Sequence, residues 1–179
     1  MSRTQYFTAA SLDGFVADAH ESLDWLADPD DPADTTYADF IRNVGAIAMG
    51  SATYEWVRRE LATTGAPWPY AQPTWVFTSR PREPIAGAEL YFVQGDVRPV
   101  HAAMTAMAGE MNLWIVGGGE LAGQFHDAGL LDDVFIQYAL VTLGAGKPLL
   151  PRRIVGSFRL ASVRSIGTTM VAVHLTVAR

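Results

Sequence analysis

The segment Trp114-Ile115-Val116-Gly117-Gly118-Gly119-Glu120-Leu121 holds the residues whose spacing most clearly suggests chemistry. An apolar run ends in three glycines. A helical pattern follows at once, with Leu121, Phe125 and Ala128 on one face and Gly129 as its stop. This reads as strand, glycine turn and helix N-terminus. Residues without Cβ let an anion approach the backbone, and the first N–H groups of the helix point at it. The chemistry is phosphate binding, as a nucleotide cofactor requires. A tight turn that binds nothing could use the same residues.

A second junction of this kind precedes it, and a third strand ends in phosphate-compatible residues. Gly50-Ser51-Ala52-Thr53 follows the short apolar run Ala46 to Met49 and opens a helical pattern through Tyr54, Val57 and Leu61. Its N–H groups and hydroxyls could hold a second set of phosphate oxygens, or Ser51 and Thr53 could simply cap the helix. Thr78-Ser79-Arg80 closes a third strand. Two hydroxyls and a guanidinium suit a phosphate monoester such as the 2′-phosphate of NADPH, and a solvated arginine is the plainer alternative. The three junctions in order, each after a strand, outweigh any one of them.

Other chemistries find little support. The chain has no cysteine, which removes disulfides, zinc-thiolate sites and thiol nucleophiles. His20, His101, His126 and His174 lack metal-ligand spacing, so no metal site is expected. There is no G-x-S-x-G elbow. Asp132-Asp133 reads as a solvated turn rather than an acid–base pair. Hydride transfer needs little acid–base machinery from the protein, because the cofactor carries the hard step. The net charge is -6 and no basic stripe interleaves with aromatics, so nucleic acid is not an expected partner. No apolar stretch is long enough to span a bilayer, and the N-terminus lacks the apolar core of a signal peptide. A cytoplasmic protein without membrane partners is expected.

These junctions must be positioned by a scaffold. The 179 residues suffice for one domain, residues 1–179, and 49% hydrophobic residues place it among globular chains. Strands are expected over Gln5–Ala10, Ala46–Met49, Thr74–Thr78, Glu89–Val93, Asn112–Val116 and Val134–Leu143. Helices are expected around Tyr37–Val44, capped by Asp34 or Thr35, then after Gly50, over Arg98–Met107 and after Gly119. Ala27–Asp34 and Ala62–Pro73 read as loops. Phe158–Ile166 and the alternating tail through Val171, Val173, Leu175 and Val177 form an antiparallel hairpin. The fold class is α/β, with a central, mostly parallel mixed sheet, helices on both faces and this C-terminal hairpin. Ligands of such sheets sit at the carboxyl ends of the strands.

The ordered motifs resemble the dihydrofolate reductase superfamily. More closely, the chain resembles the reductase half of the bifunctional riboflavin-biosynthesis deaminase-reductase and its small stand-alone bacterial relatives. The resemblance is carried by Ala10-Ser11-Leu12-Asp13-Gly14-Phe15-Val16-Ala17, Leu23-Asp24-Trp25-Leu26, Met49-Gly50-Ser51-Ala52-Thr53-Tyr54-Glu55, Val76-Phe77-Thr78-Ser79-Arg80, Ile115 to Leu121 and Leu143-Gly144-Ala145-Gly146-Lys147-Pro148-Leu149. It spans nearly the whole chain.

The resemblance implies a dihydrofolate reductase-like fold and NADPH bound across the sheet. Val116, Gly117, Gly118, Gly119, Glu120 and Leu121 would then face the pyrophosphate. Gly50, Ser51, Ala52 and Thr53, with Thr78, Ser79 and Arg80, would hold the adenosine-side phosphates. The loop with Phe15 and Val16 would close over the nicotinamide, with Ala9 beneath it. Phe15, Thr36, Phe40 and Gln137 would line the substrate pocket. The nearest named activity is 5-amino-6-(5-phosphoribosylamino)uracil reductase. A non-catalytic NADPH-binding regulator of the same fold is the alternative, and a homodimer is expected. The chain departs from the family at several points. Ser51 stands where the family often has arginine. Thr36 stands where dihydrofolate reductases carry an acid. The lysine that riboflavin reductases usually carry before the S-L-D-G turn is missing here.

Overall fold

The computed structural model describes residues 2–26, 34 and 36–178. Its scaffold is an eight-stranded sheet. In chain order the elements are β1 Thr4–Ser11, β2 Phe15–Ala17, α1 Thr36–Ile41, β3 Val44–Gly50, α2 Ser51–Thr64, β4 Thr74–Phe77, β5 Leu90–Val93, α3 Val97–Ala108, β6 Asn112–Gly117, α4 Gly119–Asp127, β7 Asp133–Ala139, β8 Lys147–Pro148, β9 Phe158–Ile166 and β10 Met170–Val177. The sheet order is β5-β4-β3-β6-β1-β7-β10-β9. Pairing is parallel from β5 through β7 and antiparallel for β7–β10 and β10–β9. The sheet and its C-terminal hairpin match the fold class read from the sequence.

Central strands of this sheet are covered on both faces, so they read as continuous apolar runs. In β3, Ala46 and Ala48 join one core with Tyr6, Leu113, Ile115, Leu121 and Phe125. Ile47 and Met49 join the other core with Phe7, Tyr54, Val57 and Trp114. Helix α4 thus serves the first face and α2 the second. Loops follow their local chemistry. Gly65 closes α2 in the left-handed conformation, φ 71°, and the Asp96 side chain caps α3 by accepting from the Arg98 N–H at 2.9 Å.

One expectation needs correction. Asp133 is not in a solvated turn: it begins β7 and is 2% exposed. It accepts hydrogen bonds from Arg3 Nε at 2.5 Å and Gln5 Nε2 at 3.3 Å, and bonds His174 Nε2 at 2.9 Å. Sequence adjacency to Asp132 hid this long-range network. The C-terminal hairpin closes one edge of the sheet through β9, and β10, with Val171 to Val177, lies between β7 and β9. The Gly144–Pro148 loop contains β8, which pairs antiparallel with β2 as a second small sheet. Gly146 makes that approach possible: at φ 152°, its added Cβ would lie 2.0 Å from the Ala17 carbonyl oxygen. Helix α1 is short, and the Asp34 carboxylate accepts from the Thr36 N–H at 3.2 Å as a start signal. Residues 27–33 of the loop at Ala27–Asp34, and the alternative cap Thr35, lie outside the described residues.

Candidate active site

The parallel strands β3 and β6 are neighbours, yet the chain leaves them in opposite directions. After β3 it runs through α2 to β4, away from the centre. After β6 it runs through α4 to β7, on the far side of β1. Parallel crossovers share one hand, so α2 and α4 fall on opposite faces and a crevice opens between their starts. The N-caps are Gly50 and Gly118, and neither receives a side-chain cap hydrogen bond. The donors at both helix starts are therefore left to a ligand or to water. A Cβ built on Gly50 would stand 3.7 Å from the Gly118 nitrogen, so the two junctions touch.

The three glycines have different duties. A Cβ on Gly117 would meet Thr53 Oγ1 at 3.0 Å, and one on Gly119 would meet the Leu149 carbonyl oxygen at 2.0 Å. One on Gly118 would meet nothing within 4 Å. Packing accounts for Gly117 and Gly119. Gly118 alone presents open backbone. The Gly117–Gly118 peptide is cis.

A cavity of about 440 Å³ occupies this crevice. Its floor is Tyr6, Thr8 and Val116 to Glu120. Ala52, Thr53, Trp56, Val57 and Tyr70 form one wall. Val16, Ala17, Glu21, Leu23, Lys147, Pro148 and Pro151 form the other. The Tyr6 hydroxyl donates to the Leu149 carbonyl at 3.3 Å, tying β1 to this wall. Burial raises the Tyr6 pKa, so the phenol stays protonated. Glu21 bridges Lys147 at 3.0 Å and Arg59 at 3.5 Å, and these contacts lower its pKa, that to Lys147 most. Glu120 is drawn off the helix start by Arg152 at 2.5 Å. The turn at Asp13 is pinned to the opposite loop. Its carboxylate accepts from Ser11 Oγ at 2.6 Å and from the Gly144 N–H at 2.7 Å, and its pKa is lowered, first by Ser11.

This geometry has counterparts. The RibD C-terminal domain family model matches residues 4–172. The chain belongs to the RibD C-terminal domain family. An uncharacterized Bacillus subtilis protein, YwjB, is 32% identical over 148 residues, covering 82% of each chain. A crystal structure of a putative riboflavin biosynthesis protein from Shewanella sp. PV-4 superposes with a TM-score of 0.84 at 27% identity, covering 99% of both chains. Enterococcus faecalis dihydrofolate reductase, solved with NADP(H), superposes with a TM-score of 0.65 at 15% identity, covering 98% of this chain and 95% of that one. The fold is dihydrofolate reductase-like, and the family is the reductase-type half of the riboflavin deaminase-reductases.

Within this family member, the expected site residues divide into three groups. Val16, Ala52, Thr53, Val116, Gly117, Gly118, Gly119 and Glu120 meet at the large cavity. Gly50 and Ser51 sit at its rim, at the start of α2. Thr78, Ser79 and Arg80 end the next strand but do not line the cavity. The Thr78 hydroxyl is engaged in its own turn, donating to the Arg80 carbonyl at 2.9 Å. Leu121 departs from expectation, because it packs in the core at 5% exposure. Ala9 is half-buried in β1, one residue beyond Thr8 and on the other face. Phe15 pairs with Pro148 while its neighbour Val16 reaches the cavity.

The expected substrate residues also separate. Phe40 stacks on Phe7, ring centroids 4.4 Å apart, and meets Trp114 and Phe135 edge-on, so it fills the core beside the cavity. Thr36 and Gln137 line a second, smaller cavity of about 150 Å³ with Arg164 and His174. Trp56, Val57, Tyr70, Glu21 and Lys147 were not anticipated. Trp56 and Val57 lie three and four residues after Thr53, so helical spacing would have put them on its face. Tyr70 arrives from a loop and Lys147 from the two-residue strand β8, with no such signal.

Proposed function

We propose that the protein is an NADPH-dependent reductase that delivers hydride to a C=N or C=O group of a small substrate. One observation carries this reading: the paired, uncapped starts of α2 and α4 with open backbone at Gly118. A dinucleotide's diphosphate fits there, because backbone N–H groups and two helix dipoles favour its charge. Gly118, Gly119 and Glu120 would hold it by their backbone, with Ala52 and Thr53 from the other helix. Arg80, one strand over, would serve the 2′-phosphate. When bound, the reduced nicotinamide supplies the hydride. The chain's own part is positioning: Val16 and Ala17 on one wall and Thr8 on the floor keep water from the reacting face. The Asp13 contacts hold that wall in place.

Family membership makes the riboflavin-pathway pyrimidine the nearest named substrate and the first to assay, and a homodimer belongs to the same reading. The test is titration with NADPH and NADH, followed by turnover assays with pterin, pyrimidine and quinone substrates. Tight NADPH binding with turnover supports the enzyme. Binding without turnover of any substrate favours a cofactor-binding regulator.

A further inference from the structure

Resting on the reductase reading, we infer that the large cavity accepts an uncharged aromatic carbonyl compound of the quinone class rather than a phosphorylated heterocycle. The first argument is charge. Among the described residues, the cavity lining carries two carboxylates, Glu21 and Glu120, and one ammonium, Lys147. Lys147 is paired with Glu21 at 3.0 Å. Four nearby guanidinium groups are engaged too. Arg59 meets Glu21, Arg58 and Arg82 meet Glu55 at 3.1 Å each, and Arg152 meets Glu120. A substrate phosphate carries about −1.5 to −2 charges and needs charge-assisted partners. The donors at the two helix starts go to the cofactor's own diphosphate. A second phosphate would face a wall with more carboxylates than cations.

The second argument is surface. Trp56, Val57 and Tyr70 give the cavity an apolar, ring-bearing wall. The Tyr70 ring is fixed edge-on against Trp68 at 5.2 Å and Trp114 at 5.5 Å. Burial raises its pKa and keeps the phenol protonated, able to donate to an oxygen acceptor. Flat apolar walls with few polar groups select flat apolar ligands and orient them by their carbonyls. The reaction balances. The acceptor gains a hydride from the reduced nicotinamide and a proton from water, and its two C=O groups become hydroxyls. The nicotinamide leaves oxidised by two electrons.

Calorimetric titration tests this without turnover. Menadione and uridine 5′-monophosphate are titrated separately into the protein, alone and saturated with NADP+. The chain has no cysteine, so menadione forms no thiol adduct. Menadione is expected to bind at least tenfold more tightly than the nucleotide. Trp56→Ala and Tyr70→Phe should each weaken menadione at least threefold, with an unchanged circular dichroism spectrum reporting a folded protein. Glu21→Gln should strengthen nucleotide binding and leave menadione unaffected. Equal or tighter nucleotide binding by the wild type, or menadione affinity indifferent to Trp56 and Tyr70, overturns the inference. Failure of NADP+ to bind overturns the reductase reading instead, and the dependence of menadione affinity on Trp56 and Tyr70 still decides the ligand class.

Discussion

A Cβ on Gly119 would stand 2.0 Å from the Leu149 carbonyl oxygen, inside any allowed contact. Gly118, one residue earlier, has open space where its Cβ would be. Two adjacent glycines are therefore required for different reasons. Gly119→Ala should cost at least about 2 kcal/mol of stability, because backbone must move to admit the methyl group. Gly118→Val should fold and weaken NADPH binding at least several-fold. Thermal denaturation and NADPH titration of both variants check this pair. The assignment fails if folded Gly118→Val binds NADPH as the wild type does.

Asp133 anchors Arg3, Gln5 and His174 across β1, β7 and β10. Burial alone would raise its pKa, but hydrogen bonds from Arg3, His174 and Gln5, with the charge of Arg3, hold it below the ordinary carboxylate value. The sign follows from linkage. A depressed folded-state pKa adds stability that is present above the unfolded value of about 4 and is lost as pH falls through the folded value. Asp133→Asn should destabilise by about 2 kcal/mol at pH 7, and the difference should shrink as the pH drops below about 4. Denaturant melts at pH 7 and pH 3 read both effects. A constant difference would mean the carboxylate's charge plays no part.

Discrimination between NADPH and NADH should rest on Arg80. Its side chain is exposed at the end of the strand beside β3. A charge-assisted contact to the 2′-phosphate contributes about 1.5–3 kcal/mol, so Arg80→Ala should weaken NADPH about tenfold or more and spare NADH. If the ratio of dissociation constants does not move, Arg58 or Arg59 becomes the candidate.

Dihydrofolate should be a poor substrate. Thr36, which the resemblance sets at the acid position, lines the smaller cavity, the nearby Asp34 carboxylate is paired with Arg164 at 3.2 Å, and the carboxylates lining the large cavity, Glu21 and Glu120, are paired with Lys147 and Arg152. Reduction of a pterin needs a proton donor of suitable pKa within hydrogen-bond reach. Steady-state assays with pure protein should give negligible turnover despite NADPH binding. Robust turnover would point to Asp34 as the acid after all.

The homodimer should form through β9. Leu160 and Val163 are 67% and 58% exposed. A register shift between His174 and Leu175 sets them opposite Leu175 and Val173, so both project from one face. An apolar edge strand of this kind invites a second chain. Light scattering should give a dimer for the wild type and a monomer for Leu160→Lys/Val163→Lys. A monomeric wild type at micromolar concentration refutes it.

The strand–helix alternation, the terminal hairpin and the three junctions after β3, β4 and β6 were all legible in the sequence. They depend on local periodicity and on glycine, whose effects are felt within a few residues. Tertiary structure alone decided which glycine presents open backbone. That depends on Leu149, thirty residues beyond Gly119, and on the opposite exits of the chain from β3 and β6. It also decided that Asp133 is buried, that Leu121 and Phe40 fill core, and that Trp56, Tyr70, Glu21 and Lys147 share one cavity. Each of these rests on contacts between segments far apart in the chain, and a sequence pattern records only how one segment presents its faces, not which other segment will meet them.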